Sequence, residues 1–404
     1  MAYSLDLLCL INFNLSGVLL EHSTAAGYAT ADGDLFRIPK EIWSHAGLES
    51  GITNTAKEIV LYQRNQFKQQ FTEMKMKLME DQKLLYVLGP AGTGKSCCAF
   101  AFATSQDVRS QRRITWIHVD FNGVCSVVEF ERGTKTCWAL NGSDFHVLNS
   151  ILGRPQTEKE HIVFFDGYTV LHKGFLTVLI IWREVNRETR RLAIITSMHS
   201  RKARLKVDCL SRYNADDIFV YSWTKEEYKV ALQNSEFRAC VFKNLDADLV
   251  PCLTKTGLLK PKTGSTSTVS ESTSLDEMVE AKYRIAGMSC RYMFGHRTEV
   301  VITEILKLSE ELEDPIPYLN GSIGENANPA VSGLFAKVPD SESFSIISSF
   351  AASSIAMRIG PDNIRKLAKN ALAVRNPSID GDMLEMCICK NEKDWTDFEC
   401  QKIQ

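Results

Sequence analysis

The chain has 404 residues, 24% of them charged, and a formal net charge of −2. That length suits two or three globular domains, and the near-neutral balance gives no global basic field, so any nucleic-acid contact would have to come from local patches. Twelve cysteines are scattered without a CxxC pair or a Cys/His zinc spacing, which argues against a zinc module and for a reduced, intracellular place of action.

Residues 1–57 have weak periodicity and suggest no role. The run from Leu5 to Leu20 is apolar, but it lacks a basic leader and is interrupted by Asp6, Asn12 and Asn14. It reads as neither a signal peptide nor a membrane span, and no membrane partner is expected. From Glu58 to Gln82 the spacing of Leu61, Phe67, Phe71, Met74 and Leu78 predicts a helix. Within it, Tyr62-Gln63-Arg64 reads as a solvated helix face or as residues that touch a nucleotide base.

The segment Gly89-Pro90-Ala91-Gly92-Thr93-Gly94-Lys95-Ser96 is a complete phosphate-binding P-loop. A chain of this length would match the pattern by accident about one or two times in a hundred. Leu84 to Leu88 reads as a buried strand and Ser96 to Ala103 as the start of a helix, which is the context the motif requires. Glycines let the backbone N–H groups close on a polyphosphate, and the helix start adds its own free N–H groups. Lys95 supplies a point charge for the β- and γ-phosphates, and Ser96 a hydroxyl for Mg²⁺, which prefers oxygen ligands. The expectation is a nucleoside triphosphate with Mg²⁺.

Ile114 to Val119 predicts a second strand, ending at Asp120, and Cys125–Phe130 with Thr136–Leu140 an inserted β-hairpin. His161 to Asp166 is a third strand, Gly174 to Asn186 a helix that buries the run from Phe175 to Trp182, and Arg191 to Thr196 a fourth strand. Alternation of apolar strands with helices predicts an α/β fold: a P-loop NTPase with a parallel, doubly wound sheet. Four apolar residues ahead of Asp166 give the Walker B form, whose carboxylate would hold Mg²⁺ through a water at the C-terminal edge of the sheet. Gly167 follows, where many ATPases have a glutamate that orients the attacking water. Asp120 could replace that base, or serve a turn. Thr196-Ser197 could bond the γ-phosphate or the water through Ser197, or simply start a turn.

Trp223 to Tyr228 opens a helix with Thr224 as N-cap and Glu227 three residues later, a capping box. Thr254 to Ser274 is rich in Thr, Ser, Gly and Lys and reads as a linker. Helical patterns resume at Leu275–Arg284 and Glu299–Glu311. Ala286-Gly287-Met288-Ser289-Cys290-Arg291 resembles the entry to a helical lid, with Arg291 as a γ-phosphate sensor or as an arginine on a solvated face. The expected division is 1–57, of no assigned role; 58–252, the NTPase core; 253–274, a linker; 275–330, a C-terminal helical lid; and 331–404, a C-terminal region.

Taken in order, Gly89 to Ser96, the Val119-Asp120-Phe121 strand end with its hairpin, Phe165-Asp166-Gly167, Tyr221 to Tyr228, and Ala286-Gly287 with Arg291 to Phe294 resemble the NTPase region of Crinkler effectors and retrotransposon hot spot proteins. The likeness covers about residues 60–310. It implies an AAA-like ATPase, with ATP and Mg²⁺ as cofactors and nucleotide closure of the lid as a switch. It also implies a secreted effector acting in a host cell, often its nucleus, with host proteins or DNA as partners. Two departures stand out. There is no Leu-x-Leu-x-Ala-Lys signal near the N-terminus, and residues 331–404 lack the spaced carboxylates of the nuclease that follows in the family, so that part is expected to be truncated or inactive. The alternatives are a non-hydrolysing nucleotide-gated module and a small-molecule kinase whose lid would use Arg187, Arg190 and Arg191, arginines that otherwise read as solvated charges flanking a strand. No Asn-Lys-x-Asp motif supports guanine reading.

Overall fold

A computed structural model describes residues 18–24, 30–48, 57–110, 112–120, 123–154, 160–197, 213–246, 274–312, 330–339 and 344–356. Two compact units divide the chain: Met1–Leu88 with Lys95–Phe219, and Gly89–Gly94 with Val220–Gln404. The expected 253–274 linker, save Ser274, and everything beyond Ala356 lie outside the described residues.

The first unit contains β1 (Val18–Thr24), β2 (Thr30–Asp32), β3 (Leu35–Pro39), the short α1 (Lys40–Trp43) and β4 (Glu58–Tyr62). Next come α2 (Asn65–Glu73, continued by π-helical turns over Met74–Glu80), β5 (Leu84–Gly89), α3 (Lys95–Ser110), β6 (Arg113–Val119), β7 (Cys125–Glu131) and β8 (Thr134–Leu140). Then follow α4 (Phe145–Leu152), β9 (His161–Tyr168), α5 (Lys173–Val185), β10 (Arg190–Ser197) and β11 (Ala215–Phe219). One eight-stranded sheet has the order β1-β8-β7-β6-β9-β10-β5-β11, and β2-β3-β4 form a separate antiparallel sheet. The pairs β6–β9, β9–β10 and β5–β11 are parallel, while β7, β8 and β1 extend the sheet antiparallel from β6.

The parallel strands are buried on both faces, as expected for a sheet sandwiched by helices. Along β9, Val163 and Phe165 point into the cluster shared with α4 and α5, which includes Leu148, Phe175 and Leu179. Phe164 points the other way, stacking on Trp116 and meeting Phe102 of α3. Phe100 meets Trp116 edge-to-face at 4.9 Å, a contact worth about 0.5–1.5 kcal/mol beyond its buried area. The predicted hairpin closes through Arg132-Gly133, both at positive φ, as a two-residue turn between right-twisted strands requires.

Residues 58–62 differ from expectation. They form β4 rather than the start of a helix, because Ile59 and Leu61 pair with Ile38 and Phe36 of β3, and the helix starts only at Asn65. Gln63 donates to Gly33 O and Leu35 O and ties the β2–β3 turn down, while Arg64 is buried; neither lies on a solvated helix face.

His161 opens β9 with Nε2 2.8 Å from Thr115 Oγ1. Burial, helped by the neighbouring Arg113, Arg190 and Arg154 guanidiniums, holds its pKa well below the ordinary 6.5. The imidazole thus stays neutral in the fold but takes a proton in the unfolded chain once the pH drops below that value. Its contribution to stability is intact above the unfolded pKa and is lost as the pH falls, at up to about 1.4 kcal/mol per pH unit. Denaturant unfolding between pH 7 and 5 should show that loss in the wild type and a shallower one in His161→Phe; parallel pH profiles would contradict it.

The second unit contains α6 (Lys225–Gln233), α7 (Ser235–Val241), α8 (Leu275–Ala286), α9 (Thr298–Glu311), α10 (Ala330–Leu334), β12 (Phe335–Ala336), β13 (Ser345–Ile346) and α11 (Ser349–Ala356). The predicted capping box is present: Thr224 Oγ1 accepts Glu227 N–H at 3.2 Å, and the Glu227 carboxylate accepts Thr224 N–H at 2.9 Å. Ser274 and Glu277 repeat the device on α8. Trp223, Tyr228, Phe237 and Phe294 form an aromatic core, and the buried Lys282 ammonium bonds His296 O and Thr298 Oγ1 to hold α8 against the start of α9.

Candidate functional site

In the first unit, α3 starts directly at Lys95 and Ser96. Gln70 of α2 donates to the Lys95 carbonyl at 3.0 Å, which fixes the first turn of the helix from behind. Ser96 Oγ donates to Asp166 Oδ1 at 2.8 Å. The motif hydroxyl and the strand-end carboxylate thus meet although 70 residues separate them in sequence. Asp166 is 4% exposed. Its second oxygen, Oδ2, lies 3.0 Å from His118 Nδ1. A carboxylate without a proton only accepts, so the contact calls for the His118 tautomer with the hydrogen on Nδ1. Nothing in the sequence singles out His118. It is the register partner of Asp166 across β6 and β9, a relation visible only once the strand order is known.

The other first-unit candidates are placed as follows. Asp120 Oδ1 accepts Val124 N–H at 2.8 Å, and its backbone bonds Gly123 and Val124, so this carboxylate closes the turn from β6 toward β7. Thr196 Oγ1 donates to Tyr168 O at 2.6 Å, which commits that hydroxyl to the strand ends, and Ser197 is the last residue of β10. Arg190 and Arg191 open β10, at the far end of the strand from Thr196 and Ser197. Arg187 pairs with Glu184, Arg190 donates to Trp182 O, and Arg191 pairs with Glu160. None of the three arginines lies at the edge that carries Asp166.

Gly167 has a physical reason to be glycine. Its φ is +80°, and a Cβ there would lie 2.3 Å from Val119 O. The β9–β10 register slips at this point, with Asp166 opposite Ile195 and Tyr168 opposite Thr196, so Gly167 is the bulged residue. The position that carries a water-orienting glutamate in many ATPases has no room for a side chain here. Gly167→Glu is expected to destabilise the fold by about 1–3 kcal/mol rather than install a base. Thermal unfolding checks this, and a variant as stable as wild type would contradict it.

In the second unit, the loop from Gly89 to Gly94 holds its shape through Thr93 Oγ1 donating to Pro90 O at 3.1 Å. Cys290 N–H donates to Gly92 O at 2.8 Å and Ala91 N–H to Ser332 O at 3.2 Å. Gly92 has φ +73°, and a Cβ there would meet Ser289 Oγ at 2.0 Å, so the close approach itself demands glycine. A cavity of about 150 Å³ opens beside it, with Gly92, Ser289, Arg291, Tyr292 and Glu304 among its walls. Arg291 is exposed and forms no ion pair among the described residues. Burial, with Glu304 nearby, pushes the Tyr292 phenol well above its ordinary range.

Among the described residues no group of three or more His, Cys, Asp and Glu side chains could hold a metal, and no helix is long and apolar enough to cross a membrane. The donor set fits Mg²⁺ nonetheless. That ion takes one or two protein oxygens and completes its shell with phosphate and water, and Ser96 with Asp166 offers such a pair.

The strand–loop–helix motif, the mostly parallel sheet and the strand-end carboxylate beside the loop serine define an α/β fold of the P-loop NTPase class, with a nucleotide-binding architecture. The chain matches no family model and no curated protein. Among solved structures it is similar to Cdc6p from Pyrobaculum aerophilum, at 11% identity and a TM-score of 0.34, over 86% of this chain and 98% of that one. So loose a likeness transfers nothing about function.

Proposed function

We propose that the chain binds ATP with Mg²⁺ at the P-loop and hydrolyses it, serving as a nucleotide switch. The observation that carries this reading is the 2.8 Å bond from Ser96 to Asp166, which brings two hard oxygen ligands together beside Lys95. Ser96 would bind the ion directly and Asp166 through a water, and the ion would neutralise charge on the β- and γ-phosphates. Lys95 would add its ammonium to the same phosphates. Arg291, beside Gly92, would contribute a further positive charge to the loop. With Asp120 engaged in its turn, Ser197 is the stronger candidate to orient the attacking water.

The backbone at Gly167 favours one rival, a module that binds the nucleotide without cleaving it. Titration with ATP and GTP, followed by product analysis with and without Mg²⁺ and DNA, separates the readings. ADP and phosphate formed only with Mg²⁺, at an ATP preference over GTP, is the expected result. Saturable binding without turnover favours the rival, and a phosphorylated acceptor would replace both with a kinase.

The order of motifs shared with Crinkler effectors supports a setting as a secreted effector in a host cell, with host proteins or DNA as partners. A tagged chain expressed in host cells should then enter the nucleus; uniform exclusion from it would count against that setting.

A further inference from the structure

We infer that His118 is a positioning residue for the metal-site carboxylate, held in place by the turn at Gly47. This rests on the proposed ATP and Mg²⁺ site and adds a residue to it. Asp166 lies near the C-terminal end of β9, and two hydrogen bonds set the orientation of its carboxylate. Ser96 occupies one oxygen and His118 the other, at 2.8 and 3.0 Å, so the imidazole fixes the rotation of the carboxylate that faces Ser96 and the ion. With Gly167 unable to carry a side chain, His118 is the group that approaches Asp166 from the β6 side.

The imidazole is itself clamped. Gly47 has φ +73°, and a Cβ on it would lie 2.0 Å from His118 Cδ2, so bare backbone packs directly on the ring. That backbone is pinned at several points. Trp116 Nε1 donates to Ala46 O at 2.9 Å, and the fully buried Lys135 ammonium donates to Glu41 O at 2.8 Å, Ser44 O at 2.9 Å and Ser44 Oγ at 2.6 Å. The segment 41–47 therefore reaches the carboxylate through a single chain of contacts: Gly47 on His118, His118 on Asp166, Asp166 on Ser96. Residues outside the ligand sphere that orient a ligand in this way typically account for 10–100-fold in metal affinity.

Equilibrium titration of the full chain with ATP, in Mg²⁺ and in chelator, measures the factor by which the metal tightens ATP binding. Two variants split the roles of the ring. His118→Phe keeps bulk against Gly47 and removes the N–H donor, whereas His118→Asn keeps a donor and loses the ring. Positioning predicts that the metal factor falls about 10-fold or more in His118→Phe and recovers in part in His118→Asn, with metal-free ATP affinity unchanged in both. A wild-type metal factor in His118→Phe, or the reverse order of the two variants, would overturn the inference while leaving the ATP site standing. A wild-type chain whose ATP binding takes no benefit from Mg²⁺ would overturn the proposed metal site and this inference together.

Discussion

Asp166→Asn is expected to lower Mg²⁺-dependent ATP turnover by about 10²–10³-fold while changing metal-free ATP affinity only a few-fold. The substitution keeps the shape of the side chain, and either end of the amide can bond the Ser96 hydroxyl, so the fold and the loop should survive. What it removes is the negative charge that would draw the metal's water shell to the end of β9. The amide has one accepting oxygen where the carboxylate has two, so it can accept from only one of Ser96 and His118, the groups at 2.8 and 3.0 Å. Metal-free binding draws mainly on the loop amides and Lys95, which the change does not touch. Loss therefore falls on the metal-bound complex, and turnover in Mg²⁺ should separate from metal-free affinity measured on one preparation. Equal losses in both would mean that Asp166 is a structural residue.

Lys95→Ala should act on the other side of that division. A charge-assisted hydrogen bond to a phosphate contributes roughly 1.5–3 kcal/mol, so ATP affinity should fall about 10- to 100-fold, and turnover with it. The Lys95 backbone is held by Gln70 and the side chain is 9% exposed, so truncation leaves the helix start in place. Titration of the variant with ATP, set beside its melting temperature, checks the point. Wild-type affinity in a folded Lys95→Ala would show that the loop does not bind triphosphate.

Much of this site could be read in the residues themselves because its signals are local. Gly89 to Ser96 fixes the residue type at each offset, and four apolar residues ahead of Asp166 mark a buried strand with a polar end. The capping box at Thr224 and Glu227 and the hairpin turn at Arg132-Gly133 are likewise set by neighbours in sequence. What escaped depends on pairing at long range. β11 has a single buried residue, Ile218, in an acidic stretch, and only its partner β5 makes it a strand. Leu61 fits a helical pattern with the residues that follow it as well as a strand, and β3 decides between them. His118 looks like an ordinary strand residue until β6 is laid beside β9. Gly167 reads as a missing base, whereas the carbonyl of Val119 explains why no base could stand there.

The central claim is that this chain holds ATP at residues 89–96, and equilibrium titration of the full chain with ATP tests it most directly. Saturable binding of one nucleotide per chain, tightened by Mg²⁺, is the predicted result. Absence of saturable binding with and without Mg²⁺ would contradict it.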